Sequence, residues 1–209
     1  MSEEQELSGP RPVGAPETGG PHVLRFGAAP PRAPRPRAAP PEALALARAR
    51  RGFVRRVVGY LAADLGVRQF VNVGARPATA EAVHTAAREH RPEASAVHLS
   101  GGPLGTVLRS GALDPAAPIA LLLVDTGDLT DTAVAALVRD AHAATAPGSH
   151  VVICRPAPGD GAGARAATRL FAPFTVLDPG LADMAWWPYP DAEVTGSGVG
   201  VLAGVAGRA

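Results

Sequence analysis

Apolar residues along this chain follow two spacings, one typical of strands and one typical of helices. Short apolar runs predict strands covered on both faces, and longer stretches with apolar residues every three or four positions predict amphipathic helices. The predicted strands cover residues 69–73, 95–99, 118–124, 150–154, 174–177 and 198–204. The predicted helices cover residues 42–65, 79–90 and 130–144, with a short one that ends at residue 170.

The alternation of strand and helix predicts a doubly wound α/β layer sandwich around a mostly parallel sheet, which is a Rossmann-like fold. With 209 residues the chain has room for one such domain, which we place at residues 42–209. Sheets of this kind bind ligands beyond the carboxyl ends of their strands, near the point where strand order reverses. We therefore expect a site formed by residues 72–76, 100–102 and 125–128.

Residues 1–41 differ in composition from the rest of the chain. They contain ten of the 22 prolines and few large apolar side chains, so they bury too little surface to offset the entropy of ordering. We predict a disordered tail, with residues 30–37 as extended polyproline II that exposes Arg32, Arg35 and Arg37. Such a segment could bind an acidic or aromatic groove of a protein partner, but composition favours a plain spacer.

Charge and composition exclude several classes of function. The formal net charge of +1 argues against a nucleic-acid partner, which calls for a strongly basic surface. No run approaches the ~20 apolar residues of a membrane span, and the acidic first residues do not resemble a signal peptide. We expect a cytoplasmic protein that does not bind a membrane, with its single cysteine, Cys154, as a buried thiol in a reducing compartment.

The turn after the first predicted strand has the outline of a cofactor loop. Its strand ends at neutral Asn72, and the turn holds one glycine, Gly74, followed two residues later by Arg76. Loops that bind a nucleotide-type cofactor usually hold two or three glycines, which let the backbone approach the ligand. The sequence therefore predicts the scaffold of a cofactor site with altered contacts.

Four segments together resemble a family of S-adenosylmethionine-dependent methyltransferases that is found mainly in actinobacteria and has a Rossmann-like fold. These segments are the Arg-rich helix 47–58, the strand and turn 66–79, the Ala-Pro-Gly-Ser-His-Val-Val stretch 146–152, and the C-terminal signature 177–191. The resemblance spans about residues 45 to 205. It implies S-adenosylmethionine as the cofactor, held at the ends of the first two strands.

The same resemblance shows where this chain departs from the family. The family has Asp-Ile-Gly-Thr-Gly at the first turn, whereas this chain has Asn72 in place of the acid and Arg76 in place of the second glycine. After the second strand the family carries Asp-Asn-Asp-Pro, whose first acid receives the ribose hydroxyls, and here Ser100 occupies that place. Residues 103–118 are also too few for the helix, third strand and acidic loop expected there.

These departures lead to a hypothesis about function. We expect an eroded cofactor site in which Asn72, Gly74, Arg76 and Ser100 mark vestigial binding positions, and a non-catalytic binding or assembly module, that is, a pseudoenzyme. The alternative is an active methyltransferase with altered cofactor contacts and an unknown acceptor. A third reading is an adaptor that acts through the Pro/Arg-rich tail.

Asp125 and Asp128 are the weak candidates for a catalytic base or a ligand contact, because they follow the most apolar strand. The simpler interpretation, which we favour, is that they form a turn and cap the next helix, for which Asp128, Thr130 and Asp131 are well placed. Their spacing lacks the His or Glu of a calcium or zinc site, so we predict no metal. Trp186 and Trp187 are assigned to the core, and the Gly-rich stretch 196–200 to tight strand packing.

Overall fold

The computed structural model describes residues 40–74, 76–100, 102–157, 161–194 and 196–209. The predicted tail, with Arg32, Arg35 and Arg37, lies outside the described residues except at its last two positions. Among the described helices, none is long and apolar enough to cross a membrane.

Helices and strands alternate along the domain as the apolar spacing predicts. The α-helices are α1 (Pro41–Gly59), α2 (Pro77–His90), α3 (Leu104–Arg109), α4 (Asp131–Ala144) and α5 (Gly161–Arg169). The strands are β1 (Gln69–Gly74), β2 (Ser95–Leu99), β3 (Ile119–Asp125), β4 (His150–Pro156), β5 (Thr175–Val176), β6 (Ala182–Asp183) and β7 (Val201–Gly207). A π-helical turn (Tyr60–Asp64) extends α1, and a 3₁₀ turn covers Asp191–Glu193.

One sheet with strand order β2-β1-β3-β4-β7-β5 organises these elements, and β6 pairs with β7 off that path. The first four strands in this order are parallel, and β7 runs antiparallel to its neighbours. The chain moves from β1 outward to β2 and then crosses back to β3 on the other side of β1. The carboxyl ends of β1 and β3 therefore flank the switch point, where such sheets bind ligands.

A separate core fills each face of the sheet. One contains the buried faces of α1 and α2 together with Phe70, Leu122 and Trp187, and the other contains α3, α4 and Phe171. This two-sided burial explains the continuous apolar run of β3, in which all seven residues are buried. The prediction of a Rossmann-like, mostly parallel sheet is confirmed.

Arg56 attaches α1 to the C-terminal part of the domain. Its guanidinium donates to the carbonyl oxygens of Trp187 at 2.6 Å, Met184 at 2.9 Å and Ala185 at 3.0 Å. The Trp187 ring, which is buried as predicted, meets Phe53 of α1 edge to face at 5.7 Å. These contacts place α1 across the sheet, close to the switch point.

Several element boundaries differ from the sequence predictions for identifiable reasons. Both α1 and α2 begin earlier than predicted, because Pro41 and Pro77 take the first helical position, where a missing N–H costs nothing. The closing strand starts at Val201 rather than at residue 198, since Gly200 has a positive φ of 69° that interrupts the extended backbone. Residues 103–118 were predicted to be too few for a helix, a third strand and an acidic loop together, and of these the segment forms the helix α3. Residues 110–118, all of which are described, contain no strand.

Candidate functional site

The crevice at the switch point lies between the carboxyl ends of β1 and β3, the first turn of α2 and the middle of α1. Asp125, the last residue of β3, lies at its centre with a side chain that is only 2% exposed. Arg50 of α1 places Nε 2.7 Å from Asp125 Oδ1, and Arg76 places its Nε 3.6 Å from the same oxygen. The hydroxyl of Thr79 donates to the other oxygen, Oδ2.

The contact between Arg50 and Asp125 is ionic rather than a well-aligned hydrogen bond, since neither Arg50 Nε nor Asp125 Oδ1 has a hydrogen-bond partner. A buried carboxylate is costly without an opposite charge beside it. Arg50 supplies that charge from the partly buried face of α1, with 19% of its side chain exposed. Asp125 is therefore enclosed from three sides.

Gly74 brings the end of β1 directly onto β3. Its φ is +146°, and a Cβ at this position would lie 2.7 Å from the carbonyl oxygen of Asp125. The pairing between β1 and β3 shifts register between Asn72 and Gly74, which sets Gly74 opposite Asp125. The glycine that the sequence identified thus permits a close contact within the protein, and a side chain there would separate the two strands.

Asn72 and Ser100 lie apart from this centre. Asn72 is 1% exposed, its Nδ2 lies 3.2 Å from Nδ1 of His98 on the adjacent strand β2, and its Oδ1 has no hydrogen-bond partner. For the amide to donate, His98 Nδ1 must be unprotonated. Ser100 is exposed after β2, and Gly101 lies outside the described residues. Neither Asn72 nor Ser100 lines the two cavities of the crevice.

The two cavities share Arg50 and Arg76 in their walls. The larger, of about 390 Å³, also reaches Asp125, Asp128 and Cys154. The smaller, of about 140 Å³, lies between α1 and the first turns of α2 and includes Arg51 and Thr79.

Of the predicted site residues, the structure brings Gly74, Arg76, Asp125 and Asp128 together and leaves Asn72 and Ser100 outside. Thr130 caps α4 through its hydroxyl, as the turn-and-cap interpretation allowed, whereas the side chain of Asp125 contacts Arg50, Arg76 and Thr79. The prediction that Cys154 is a core thiol is confirmed, and burial raises its pKa, so it is not a ready nucleophile.

Arg50 is the site residue that sequence reasoning missed. It lies four residues after Leu46 and four before Val54, so it belongs to the inward-facing stripe of α1 rather than to its solvated face. A cation in an apolar stripe indicates a buried anion opposite it. That signal pointed to a buried anion facing Arg50, although it did not identify Asp125 as that anion.

Comparisons with known proteins agree with this fold. A family profile described as S-adenosyl methyltransferase matches residues 32–112. No curated protein matches the sequence. The domain is similar to the crystal structure of a candidate methyltransferase from Thermobifida fusca YX, with a TM-score of 0.66 and 21% identity over 80% of this chain and 83% of that one. It is also similar to a DUF574 family protein from Streptomyces avermitilis, with a TM-score of 0.58 and 20% identity over 78% and 83% of the two chains. The resemblance drawn from the sequence is thereby confirmed: the chain matches the S-adenosyl methyltransferase family over residues 32–112 and has the class I methyltransferase fold.

Proposed function

We propose that this chain is a methyltransferase-fold protein with an eroded S-adenosylmethionine site, which serves as a non-catalytic binding or assembly module. The observation that carries the proposal is the enclosure of Asp125 by Arg50, Arg76 and Thr79. The one deeply buried carboxylate at the switch point is thereby committed to internal contacts.

The residues of the crevice do not fit S-adenosylmethionine. That cofactor carries a positive sulfonium, a positive ammonium group and one carboxylate, so its net charge is positive, and its ribose presents two hydroxyls that a single carboxylate can receive. The two arginines of the crevice oppose that net positive charge, although either could pair with the cofactor's carboxylate. Ser100 offers one hydroxyl, which cannot replace a carboxylate as acceptor for both ribose hydroxyls.

The magnitude of the loss supports the proposal. Hydrogen bonds to a charged group contribute about 1.5–3 kcal/mol each, and the chain lacks the acids at positions 72 and 100. The two losses together weaken binding by roughly two to four decades. A site with a dissociation constant of about 1 μM then has one between about 0.1 and 10 mM, which is too weak for a cell to fill.

A second candidate is an active methyltransferase with altered cofactor contacts. The larger cavity favours it, because about 390 Å³ of space reaches Asp125 and the exposed Asp128. Arg76 is 67% exposed and so has room to move away when a ligand enters. In that case Asp128 is the better candidate for a base, since its carboxylate is not enclosed.

Restoring the missing acids tests the proposal. We expect the double variant Asn72→Asp, Ser100→Asp to bind S-adenosylmethionine at least tenfold more tightly than the wild-type chain by calorimetry, if erosion alone weakens the site. No gain from the restored acids means that the crevice itself has closed, which also fits a non-catalytic module. Low-micromolar binding by the wild-type chain, together with methyl transfer to any acceptor, overturns the proposal.

A further inference from the structure

We propose that the Arg-lined crevice binds a compact dianion, namely the phosphate group of a small phosphate monoester. The inference rests on the proposed function, since it assigns a ligand to the crevice that S-adenosylmethionine no longer fills. It starts from the smaller cavity, whose walls are formed by α1 and the first turns of α2.

All the charged side chains that line the smaller cavity are arginines. Its lining consists of Ala47, Arg50, Arg51, Val54, Arg76, Ala78, Thr79 and Ala82. Three arginines and no acidic residue therefore contribute to its wall. Asp125 contacts both Arg50 and Arg76 and balances one of these charges, and Glu81 and Glu89 line the neighbouring pocket beside Arg51. The wall of the smaller cavity itself keeps a positive surplus, which suits a phosphate anion.

Arg50 has donors to spare. Its Nε faces Asp125, and its two terminal nitrogens have no hydrogen-bond partner among the described residues. A guanidinium that is four-fifths buried normally uses most of its five donors. Arg51, on the next position of α1, likewise has no ion-pair or hydrogen-bond partner in the described part of the chain. Planar guanidinium groups bind phosphate oxygens in pairs, and so these unused donors suit a phosphate better than a single carboxylate.

The start of α2 adds to the positive potential. The helix has 14 residues and no acidic residue in its first turn, so its N-terminus keeps a partial positive charge, part of which Asp125 offsets through its contact with Thr79. Pro77 and Ala78 form that first turn, and Ala78 and the hydroxyl-bearing Thr79 line the cavity. Side chains and backbone therefore favour the same sign of ligand charge.

The cavity volumes restrict the class of ligand. About 140 Å³ holds a phosphate group but no nucleoside, and the adjoining cavity of about 390 Å³ has space for the rest of a small ester. That larger space is lined by apolar side chains such as Leu46, Val124 and Val201, and also by Asp128. The acid disfavours a second anionic group there, so the ligand is a monoester with an uncharged remainder.

Calorimetric titration of the full chain with inorganic phosphate, and then with phenyl phosphate, tests the proposal at low ionic strength. We expect saturable binding of phosphate with a dissociation constant below about 1 mM, and tighter binding of phenyl phosphate. Arg51→Gln and Arg76→Gln should each weaken binding about tenfold. Arg48→Gln is the matched control, because Arg48 is exposed on the same helix and lines neither cavity.

Absence of saturable phosphate binding overturns the inference, and so does an equal loss in Arg48→Gln, which would indicate diffuse charge attraction. A parallel titration with S-adenosylmethionine separates this result from the proposed function. Binding of neither ligand contradicts only the phosphate site. If the chain binds S-adenosylmethionine with low-micromolar affinity and also binds phosphate, only the proposal of an eroded cofactor site is contradicted. If it binds S-adenosylmethionine with that affinity but not phosphate, both proposals are contradicted. Arg51 is exposed, so Arg51→Gln should keep the wild-type melting temperature, which verifies that it folds. Arg76→Gln also loses its ion pair with Asp125 and should melt slightly lower, in a transition that remains cooperative.

Discussion

Replacing Arg50 with methionine removes the cation that enclosed Asp125 while keeping a long apolar side chain in the same space. The carboxylate of Asp125 stays 2% exposed and loses its nearest opposite charge, which lies 2.7 Å away in the wild-type chain. We expect a clear loss of stability, because a buried carboxylate that has lost its neighbouring cation is strongly destabilising.

The size of the loss follows from what remains. Removing one partner of a fully buried pair costs about 3–5 kcal/mol. Here Arg76 remains 3.6 Å from the carboxylate, and the Thr79 hydroxyl still donates to it. Arg50 is also partly exposed, so some solvation of the pair already exists. We therefore expect the free energy of unfolding to fall by about 2–3 kcal/mol for Arg50→Met.

Urea denaturation at neutral pH measures this change as a lower midpoint with an unchanged slope. Arg55→Met is the matched control on the same helix. Arg55 pairs with Glu89 at 3.4 Å, but its side chain is 75% exposed, so its loss should cost under about 0.5 kcal/mol. Adding Asp125→Asn to Arg50→Met completes a double-mutant cycle, for which we expect a coupling of at least about 1 kcal/mol.

Two results would refute this reasoning. One is a cost for Arg50→Met that equals the cost for Arg55→Met, and the other is a coupling energy near zero in the cycle with Asp125→Asn. Either would mean that Arg50 does not enclose Asp125 in solution. The argument that internal contacts of Asp125 take the place of a cofactor at the switch point would then fail.

Three further variants test other parts of the account. Gly74→Ala should lower the free energy of unfolding by at least about 2 kcal/mol, since its Cβ would meet the Asp125 carbonyl at a φ of +146°. Gly66→Ala, with φ of +70° and open space around it, should lower it by about 1 kcal/mol. Equal losses in thermal unfolding would contradict the close contact between Gly74 and Asp125. Arg56→Lys loses the planar guanidinium that donates to three carbonyl oxygens, so the free energy of unfolding should fall by about 1–3 kcal/mol. Amide hydrogen exchange in residues 184–187 should become faster, and unchanged exchange would argue against the attachment of α1 through Arg56. Burial lowers the pKa of His150 below the 6.5 of a free imidazole, so the unfolded chain binds an extra proton first and stability falls as pH drops below about 6.5. His150→Gln should flatten that part of the profile measured by urea denaturation, and an unchanged slope would show that His150 is not its source.

Most of the fold was predictable because apolar periodicity reports burial directly. The run at 118–124 is apolar at almost every position since both faces of β3 are covered, and β2 has the bounds that the sequence predicted. The two-residue strand β6 was not predictable, because the pairing of Ala182 and Asp183 with β7 depends on where β7 lies in the fold and not on the local sequence. Asp183 accepts from the backbone N–H groups of Ala185 and Gly200, contacts that no local pattern encodes.

The position of the candidate site was predictable, but the contacts between its side chains were not. Strand ends placed Gly74, Arg76 and Asp125 at one edge of the sheet, as topology requires. The partner of Asp125 was not predictable from local sequence around β3, because Arg50 lies 75 positions earlier and reaches it only through the packing of α1. Asn72 was expected in the cofactor site, but its amide bonds sideways to His98 within the sheet.

The dissociation constant of the wild-type chain for S-adenosylmethionine tests the central claim most directly. The claim is that two arginines and an enclosed Asp125 leave no fitting site for a sulfonium cofactor. Calorimetry should compare S-adenosylmethionine with S-adenosylhomocysteine, which lacks only the methyl group on sulfur and the positive charge that goes with it. We predict no saturable heat from either ligand below about 1 mM, and any weaker binding should favour the uncharged thioether. Saturable, low-micromolar binding of S-adenosylmethionine would contradict the account.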